Sequence, residues 1–253
     1  YVIGLDYGTL SARAVLVSVR SGHVLAESVY PYPNGIYTNG IYTNGIYTNG
    51  IDAGQSSPVK TPADFALQEI DDYVEAMYRT IREVVERSGI PARNITGIGI
   101  DATSSTFLPL TQEGTPLCKT PRFRSEPHAF LKLWKHHGAQ QEADDITALA
   151  RERNEKFLTR CGGKVNAEWM LPKLLEILRR APQVYEAADN FMEVSDYLVF
   201  LLTGQVTRCM CHAGYKLLWN EEDGYPSEDF LGALDPRFSS LREKLKGRQV
   251  QVG

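Results

Sequence analysis

The first thirty residues alternate apolar and polar positions with the two-residue period of β-strands. The runs Val2 to Leu5 and Ala14 to Val19 are joined by a short turn that contains Gly8, and His23 to Tyr30 follows the Ser21-Gly22 turn. Such alternation predicts strands that bury one face. Because short connections join antiparallel neighbours, we expect the chain to begin with a three-stranded meander.

Apolar residues recur at helical spacing in later stretches, and a glycine follows two of them. The predicted helices are 71–88, stopped by Gly89, then 140–154, 167–180, and 195–203, which Ser195 or Asp196 would cap and Gly204 would stop. The other predicted elements are a buried strand at 95–101, a hairpin formed by 107–110 and 115–118, and a strand at 191–194. The tail after residue 221 shows no clear closing helix.

One segment repeats itself. The five residues from Asn34 to Thr38 recur as 39–43 and 44–48. A period of five fits neither a strand nor a helix, and each Asn-Gly pair is a turn signal. We therefore expect a low-complexity loop over residues 34–62.

Composition and charge exclude two classes of function. The formal net charge is −4 and the basic residues are scattered, so a nucleic-acid-binding groove is not expected. The chain has no apolar run of the ~18 residues that a membrane span needs, and no signal peptide at its start. We therefore expect no membrane association and a cytoplasmic location.

The cysteines and paired histidines give little sign of a metal site. Four cysteines with irregular spacing do not make a disulfide framework, so buried free thiols are favoured. The Cys209-Met210-Cys211 run beside His212 leaves a metal site as the alternative. The adjacent His136 and His137 would point to different sides of a helix or strand, which makes them poor joint ligands.

Two polar segments carry the candidate chemistry. Asp6 follows the first predicted strand, next to the turn at Gly8, where backbone N–H groups could face a phosphate while the carboxylate holds a hydrated metal ion. An aspartate that only shapes the turn is the open alternative. The loop that contains Ser104 and Ser105 follows the strand 95–101, and ligands bind at such carboxyl ends in open α/β sheets. A hydroxyl-capped turn would explain these serines equally well.

Several motifs share a family likeness. Gly4-Leu5-Asp6-Tyr7-Gly8-Thr9 with Arg13 resembles the first phosphate motif of FGGY sugar kinases, within the actin/hexokinase superfamily. Asp196-Tyr197-Leu198 with Leu202-Thr203-Gly204 resembles the helix and turn of that family. The likeness covers nearly the whole chain except 34–51, and its other blocks are 97–103, 133–137, 162–164, 168–170, 213–216 and Trp219.

The resemblance implies a fold and an activity. The expected fold is α/β, a ribonuclease-H-like domain whose mixed central sheet is flanked by helices, with residues 1–253 forming the N-terminal domain of a two-domain kinase. The expected cofactors are ATP and Mg²⁺, and the expected substrate is a ketopentose, L-ribulose above all. The expected partners are this sugar and the C-terminal kinase domain of the same protein, with a homodimer as an open possibility.

The resemblance also assigns roles position by position. Asp6 would hold the Mg²⁺ of Mg-ATP, while Gly8, Thr9 and Arg13 would face the phosphates. The sugar would contact Ser104, Ser105 and Lys216, with Glu168, Lys135 and Asp101 as further pocket candidates. Leu10 stands where the family often has Thr, Ser or Glu, so no polar contact is assigned there. The family's catalytic aspartate lies near the start of the second domain, so no catalytic base is expected in these residues.

Other functions remain open from the sequence. A related kinase acting on xylulose, glycerol or another polyol would share these motifs. The actin-like fold also serves proteins without kinase activity, including filament formers and regulators. For Lys216, a solvated surface lysine is the alternative interpretation.

Overall fold

The computed structural model of the protein describes residues 1–38, 41–43 and 61–250. The strands are β1 (Val2–Tyr7), β2 (Ser11–Val17), β3 (Val24–Pro31), β4 (Ile36–Thr38), β5 (Ile41–Thr43), β6 (Leu67–Gln68), β7 (Gly97–Ala102), β8 (Phe107–Leu110), β9 (Leu131–Lys132), β10 (Asn190–Glu193), β11 (Thr207–Cys209) and β12 (Arg248–Val250). The α-helices are α1 (Ile70–Ser88), α2 (Gln140–Glu152), α3 (Lys156–Arg160), α4 (Met170–Arg180), α5 (Pro182–Ala187), α6 (Val194–Thr203), α7 (Met210–Leu217) and α8 (Glu228–Leu234).

Contacts divide the described residues into two compact units. The first unit contains residues 1–37, 41–43 and 68–103, and the second contains residues 38, 61–67 and 104–250. Each unit has its own buried apolar residues.

The first unit is a four-stranded sheet covered by one helix. Its strand order is β3-β2-β1-β7, with β1, β2 and β3 antiparallel and β7 parallel to β1. Alternate residues of β1 and β2 are buried, and α1 packs against the first three strands. Tyr73 of α1 stacks on Tyr7 of β1 with ring centroids 5.6 Å apart. The predicted meander and the predicted helix, stopped by Gly89 at φ 65°, are confirmed.

The strand predicted to be buried, β7, is mostly exposed, so that prediction is wrong. Gly97, Ile98 and Gly99 are exposed, and Ile98 retains 42% of its accessible surface. Among the described residues β7 pairs only with β1, which leaves its other edge unpaired. A short apolar run indicates a strand but not the number of neighbours that will cover it.

The second unit is built around β8, which lies between β10 and β9 with antiparallel pairing. The predicted helices appear here as α2, α4 and α6, and Gly204 ends α6 at φ 69°. The helix predicted over 167–180 begins later, at Met170, because Trp169 is extended at the N-cap. The N-cap of α6 is Glu193 rather than Ser195 or Asp196, both of which lie in the first turn.

Three other predictions are corrected. Residues 115–118 do not form a strand, since Pro116 makes one isolated bridge to Leu110 and a 3₁₀ helix follows (Leu117–Lys119). The tail contains α8 and a further 3₁₀ helix (Pro236–Lys244). Within the repeat, β4 and β5 are short strands, so the loop prediction is wrong there, and positions 39, 40 and 44–60 lie outside the described residues.

A fully buried ionic cluster stabilises the second unit. The Glu176 carboxylate lies 3.2 Å from Lys132 Nζ and 2.8 Å from His136 Nε2, and all three side chains are inaccessible to solvent. Burial lowers the pKa of His136 to about 3. Burial raises the pKa of Glu176, but the Lys132 ammonium and the hydrogen bond from His136 together outweigh it, so the pKa lies well below its ordinary value. The Glu176 carboxylate also lies 3.3 Å from Arg180 Nη1, so it keeps an ionic partner when Lys132 is replaced.

Gly138 offers a direct test of how tightly this cluster is packed. A Cβ at this position would lie 2.5 Å from Glu176 Oε1 and 2.8 Å from His136 Nε2. We expect Gly138→Ala to destabilise the chain by about 1–3 kcal/mol, the usual cost of overpacking a core, measured by denaturant unfolding. The matched control is Gly99→Ala, whose Cβ would have no neighbour within 4 Å. Equal unfolding midpoints for the two variants would contradict this expectation.

Candidate functional site

The predicted phosphate-facing residues lie together at one end of the β1–β2 hairpin. Asp6 is directly opposite Arg13 in the register, and the Arg13 Nε lies 3.3 Å from Asp6 Oδ2. Both side chains are more than half exposed. In the turn between the strands, the Gly8 N–H donates to the Ser11 carbonyl at 2.9 Å, and the Thr9 carbonyl accepts from Gln68. The turn is therefore fixed by hydrogen bonds while the two charged side chains remain accessible.

Asp101 lies beside this pair rather than in the second unit. The parallel register of β1 and β7 places Asp101 opposite Asp6, and both aspartates are exposed. Directly paired residues project from the same face of a sheet, so two carboxylates and one guanidinium form a row across three strands. Mg²⁺ in phosphate sites is usually held by one or two carboxylates together with water and phosphate oxygens. This donor set fits a hydrated Mg²⁺ ion, although no group of three metal-ligating side chains occurs in the described part of the chain.

In the second unit, Ser104 and Ser105 form a turn, here called the serine turn, at the point where the chain leaves β7. Ser104 is half-buried, whereas Ser105 is 1% exposed and adopts φ 62°, the left-handed region that disfavours residues other than glycine. The Ser105 Oγ is buried and has no hydrogen-bond partner among the described residues. A sugar could therefore reach the Ser104 hydroxyl directly, but it could reach that of Ser105 only after a local rearrangement.

Lys216 is not a solvated surface lysine, so that interpretation is wrong. It lies near the end of α7, half-buried, with its Nζ 4.4 Å from the Tyr215 ring centroid and 5.8 Å from that of Trp169. Burial lowers the pKa of Lys216, while the carboxylates of Glu193 and Glu168 raise it. Aromatic faces and nearby carboxylates thus hold this ammonium in a defined place.

The two other sugar candidates differ in their surroundings. Glu168 accepts a hydrogen bond from His137 at 2.7 Å, and its carboxylate is partly exposed. Lys135 is exposed on the loop between β9 and α2. His136 turns inward to Glu176 while His137 turns outward to Glu168, which confirms that the adjacent histidines point to different sides.

The second unit contains a cavity of about 560 Å³ lined by Trp169 and Tyr215, whose rings also lie against Lys216, although Lys216 itself does not line it. Its lining is mainly aromatic and apolar, with Trp169, Tyr215, Trp219, Phe157 and Arg160 among the contributors. Its volume is in the usual range for small-molecule sites. Cys161 and Cys211 also line the cavity, and only Cys118 of the four free cysteines is buried, so the prediction of buried thiols is wrong for the other three.

Two buried ionisable residues that the sequence analysis missed hold the serine turn. Glu193 Oε1 accepts a hydrogen bond from the Ser105 N–H at 3.1 Å, and Lys173 Nζ donates to the Ser105 carbonyl at 3.1 Å. Lys173 stands among the buried apolar residues of α4, and a lysine in such a run was the available signal. Glu193 ends a four-residue strand in which every position is buried.

Comparison with known proteins identifies the family. Residues 51–246 match the family described as "FGGY family of carbohydrate kinases, N-terminal domain". The chain is 43% identical, over its full length, to a ribulokinase of Geobacillus thermodenitrificans and 37% identical to one of Staphylococcus aureus. The chain spans 43% and 44% of the lengths of these two relatives.

Solved structures show the same fold at low sequence identity. A gluconate kinase from Lactobacillus acidophilus superposes with a TM-score of 0.70 and 17% identity, covering 99% of this chain and 42% of that one. A Plasmodium falciparum glycerol kinase with ADP gives 0.66 and 11%, covering 99% of this chain and 42% of that one. The predicted α/β fold of sugar kinases, with sheets flanked by helices, is confirmed. On the family match and the fold together, the chain belongs to the FGGY family of carbohydrate kinases.

Proposed function

We propose that the protein transfers the γ-phosphoryl group of ATP to a ketopentose, and that its substrate is L-ribulose. The observation that carries this proposal is the 37–43% identity to ribulokinases over the whole chain. Those relatives are more than twice as long as this chain, so the activity is proposed for the chain together with a C-terminal kinase domain. A cytoplasmic location is part of this proposal. No helix in the described ranges is long and apolar enough to cross a membrane.

The first unit would bind the phosphates of ATP. The Gly8-Thr9 turn is fixed by the hydrogen bond that the Gly8 N–H donates to the Ser11 carbonyl, so this N–H is already engaged, and the Arg13 guanidinium beside the turn is accessible. Guanidinium groups and backbone N–H groups are well suited to phosphate oxygens. Asp6 would hold Mg²⁺ through water with Asp101 beside it, and the ion would supply neutralisation of phosphate charge. Phosphoryl transfer needs such neutralisation and alignment more than covalent help from the protein.

The second unit would bind the sugar. Lys216 presents an ammonium whose position is set by two aromatic rings, and Ser104 and Glu168 present a hydroxyl and a partly exposed carboxylate. Glu193 lies within electrostatic reach of Lys216 and also accepts a hydrogen bond from the serine turn, so it links these two parts of the proposed sugar site. Polyols are recognised by several directional polar groups in a mostly apolar cavity. The cavity lined by Trp169 and Tyr215 has the apolar walls, whereas Lys216, Ser104 and Glu168 are not among its lining residues.

The proposal assigns no proton-accepting base to this chain. Asp6 and Asp101 are placed for a metal ion, and metal binding and proton abstraction need carboxylates at different points around an in-line transfer. We therefore expect the isolated 253-residue chain to show no ATP-dependent phosphorylation of L-ribulose, measured by coupled ADP release. Turnover by this chain alone would mean that it contains the base.

The substrate is tested by a panel of sugars offered to the full-length protein. We expect kcat/KM for L-ribulose to exceed that for D-xylulose, D-gluconate and glycerol by at least tenfold. A higher value for any of these three would reassign the protein within the kinase family. Absence of all kinase activity, together with nucleotide-dependent polymerisation seen by light scattering, would favour a filament-forming actin-like protein.

A further inference from the structure

Ser105 adopts a conformation that its own chemistry does not favour. Its φ of 62° lies in the left-handed region, where a side chain beyond Cα is disfavoured. Residues persist in such conformations only when their surroundings over-determine them. The surroundings of Ser105 are therefore the place to look for residues that act on the sugar site indirectly.

Two ionisable side chains hold Ser105 from opposite ends of its backbone. Glu193, the last residue of β10, accepts from the Ser105 N–H, and Lys173, in α4, donates to the Ser105 carbonyl, both at 3.1 Å. Lys173 is 0% exposed and Glu193 is 2% exposed, so solvent does not compete for either bond. With the peptide groups on both sides fixed, the left-handed turn has no freedom to relax.

Lys173 also ties the serine turn to a second loop. Its Nζ donates to the carbonyls of Leu133 at 2.8 Å and Trp134 at 3.1 Å. Three carbonyl acceptors match the three N–H donors that an ammonium group has. The same ammonium thus positions Ser105 and Trp134. These residues directly follow and precede the sugar candidates Ser104 and Lys135.

Burial makes the charged forms of Lys173 and Glu193 unfavourable, which shows in the pKa of each group. Burial lowers the pKa of Lys173 well below its ordinary value, and the Glu193 carboxylate acts in the opposite direction. Burial raises the pKa of Glu193 to about 8, with Asp196 adding to the effect. Groups this costly to bury persist where their hydrogen bonds are needed.

We propose that Lys173 and Glu193 are a positioning pair that fixes the serine turn and the Trp134 loop in the geometry that binds the sugar. The pair touches neither substrate, and it acts through the backbone of Ser105. This inference rests on the proposed function, because the sugar site is the one proposed there. It adds two residues that are specific to sugar binding, while nucleotide binding does not depend on them.

The chain offers a matched control in Lys132. Lys132 is also a fully buried lysine of the second unit, but its Nζ bonds to Glu176 and lies over the Phe65 ring rather than on the serine turn. In the full-length protein, Lys173→Met should raise KM for the sugar at least tenfold and leave KM for ATP within twofold. Lys132→Met should leave both within threefold. Equal effects of the two variants on sugar KM would overturn the proposal, because they would mark a general loss of core packing.

Glu193 gives a second pair of variants. Glu193→Gln keeps an oxygen that accepts the Ser105 N–H, whereas Glu193→Leu removes it at similar volume. We expect the glutamine variant to keep sugar KM within threefold of wild type and the leucine variant to raise it at least tenfold. A sugar KM that is unchanged in the leucine variant would overturn the role of Glu193.

Amide hydrogen exchange separates this inference from the proposed function. The Ser105 amide should exchange at least tenfold faster in Lys173→Met than in wild type or Lys132→Met, whichever sugar the enzyme uses. Unchanged exchange would overturn the positioning pair. Faster exchange with unchanged sugar KM would reduce the pair to a structural role. Failure of the wild type to phosphorylate L-ribulose would instead refute the substrate while leaving the exchange result valid.

Discussion

Replacing Asp6 by asparagine in the full-length protein is expected to lower kcat for sugar phosphorylation by about 10²–10³-fold, as removal of a preorganised charge-stabilising group does. Asparagine keeps the shape of the side chain and loses the charge that a hydrated Mg²⁺ would meet. The exposed position of Asp6 at the end of the β1–β2 hairpin means that stability should change little. Steady-state kinetics with a thermal unfolding check would measure both effects.

The matched control for Asp6 is Glu27→Gln. Glu27 is an exposed carboxylate on β3 of the same sheet, away from the hairpin turn. The Glu27→Gln variant should retain wild-type kcat and the wild-type dependence of rate on Mg²⁺ concentration. In Asp6→Asn the Mg²⁺ concentration for half-maximal rate should rise. An Asp6 variant with kcat within threefold of wild type would refute the assignment of Asp6 to the phosphate site.

Replacing Lys216 by methionine is expected to raise KM for the sugar by about 10–100-fold, the range that corresponds to loss of a hydrogen bond from a charged group. Methionine retains an apolar side chain against the Trp169 and Tyr215 rings but cannot donate to a hydroxyl. KM for ATP should stay within twofold, since the residue belongs to the second unit. Initial rates with each substrate varied in turn would give both constants.

Lys164→Met serves as the comparison for Lys216. Lys164 is an exposed lysine of the same unit that makes no side-chain ion pair in the described structure, so its replacement should alter neither KM. A sugar KM within twofold of wild type for Lys216→Met would remove this residue from the site. If KM for ATP rose together with KM for the sugar, the effect of Lys216→Met would not be specific to sugar binding.

The local part of the structure could be predicted from the sequence. Three signals in it are short-range: the alternation of apolar and polar residues in β1 to β3, the apolar stripe of α1, and the glycines at 89 and 204. Each element formed where these signals indicated. The unpaired edge of β7 could not be read this way, because exposure depends on which strands lie beside it. The start of α6 was misplaced for a related reason, since Glu193 belongs to β10 and also precedes the helix.

The proximity of candidate site residues could be predicted where one segment of the chain contains them all. Asp6, Gly8 and Arg13 lie in one hairpin, so their proximity follows from its register. Lys173 and Glu193 reach Ser105 across 68 and 88 residues of sequence, and no local pattern announces such contacts. A buried lysine in an apolar helix signals a partner, but only the folded chain identifies it.

The helix α4 carries Lys173 and Glu176 three residues apart, so both side chains leave from neighbouring positions of one helical face. Lys173 donates a hydrogen bond to the serine turn, and Glu176 belongs to the buried ionic cluster. We therefore expect substitutions in α4 to change both thermal stability and sugar preference. Laboratory evolution towards a new sugar should recover substitutions in this helix, well behind the residues that would touch the ligand.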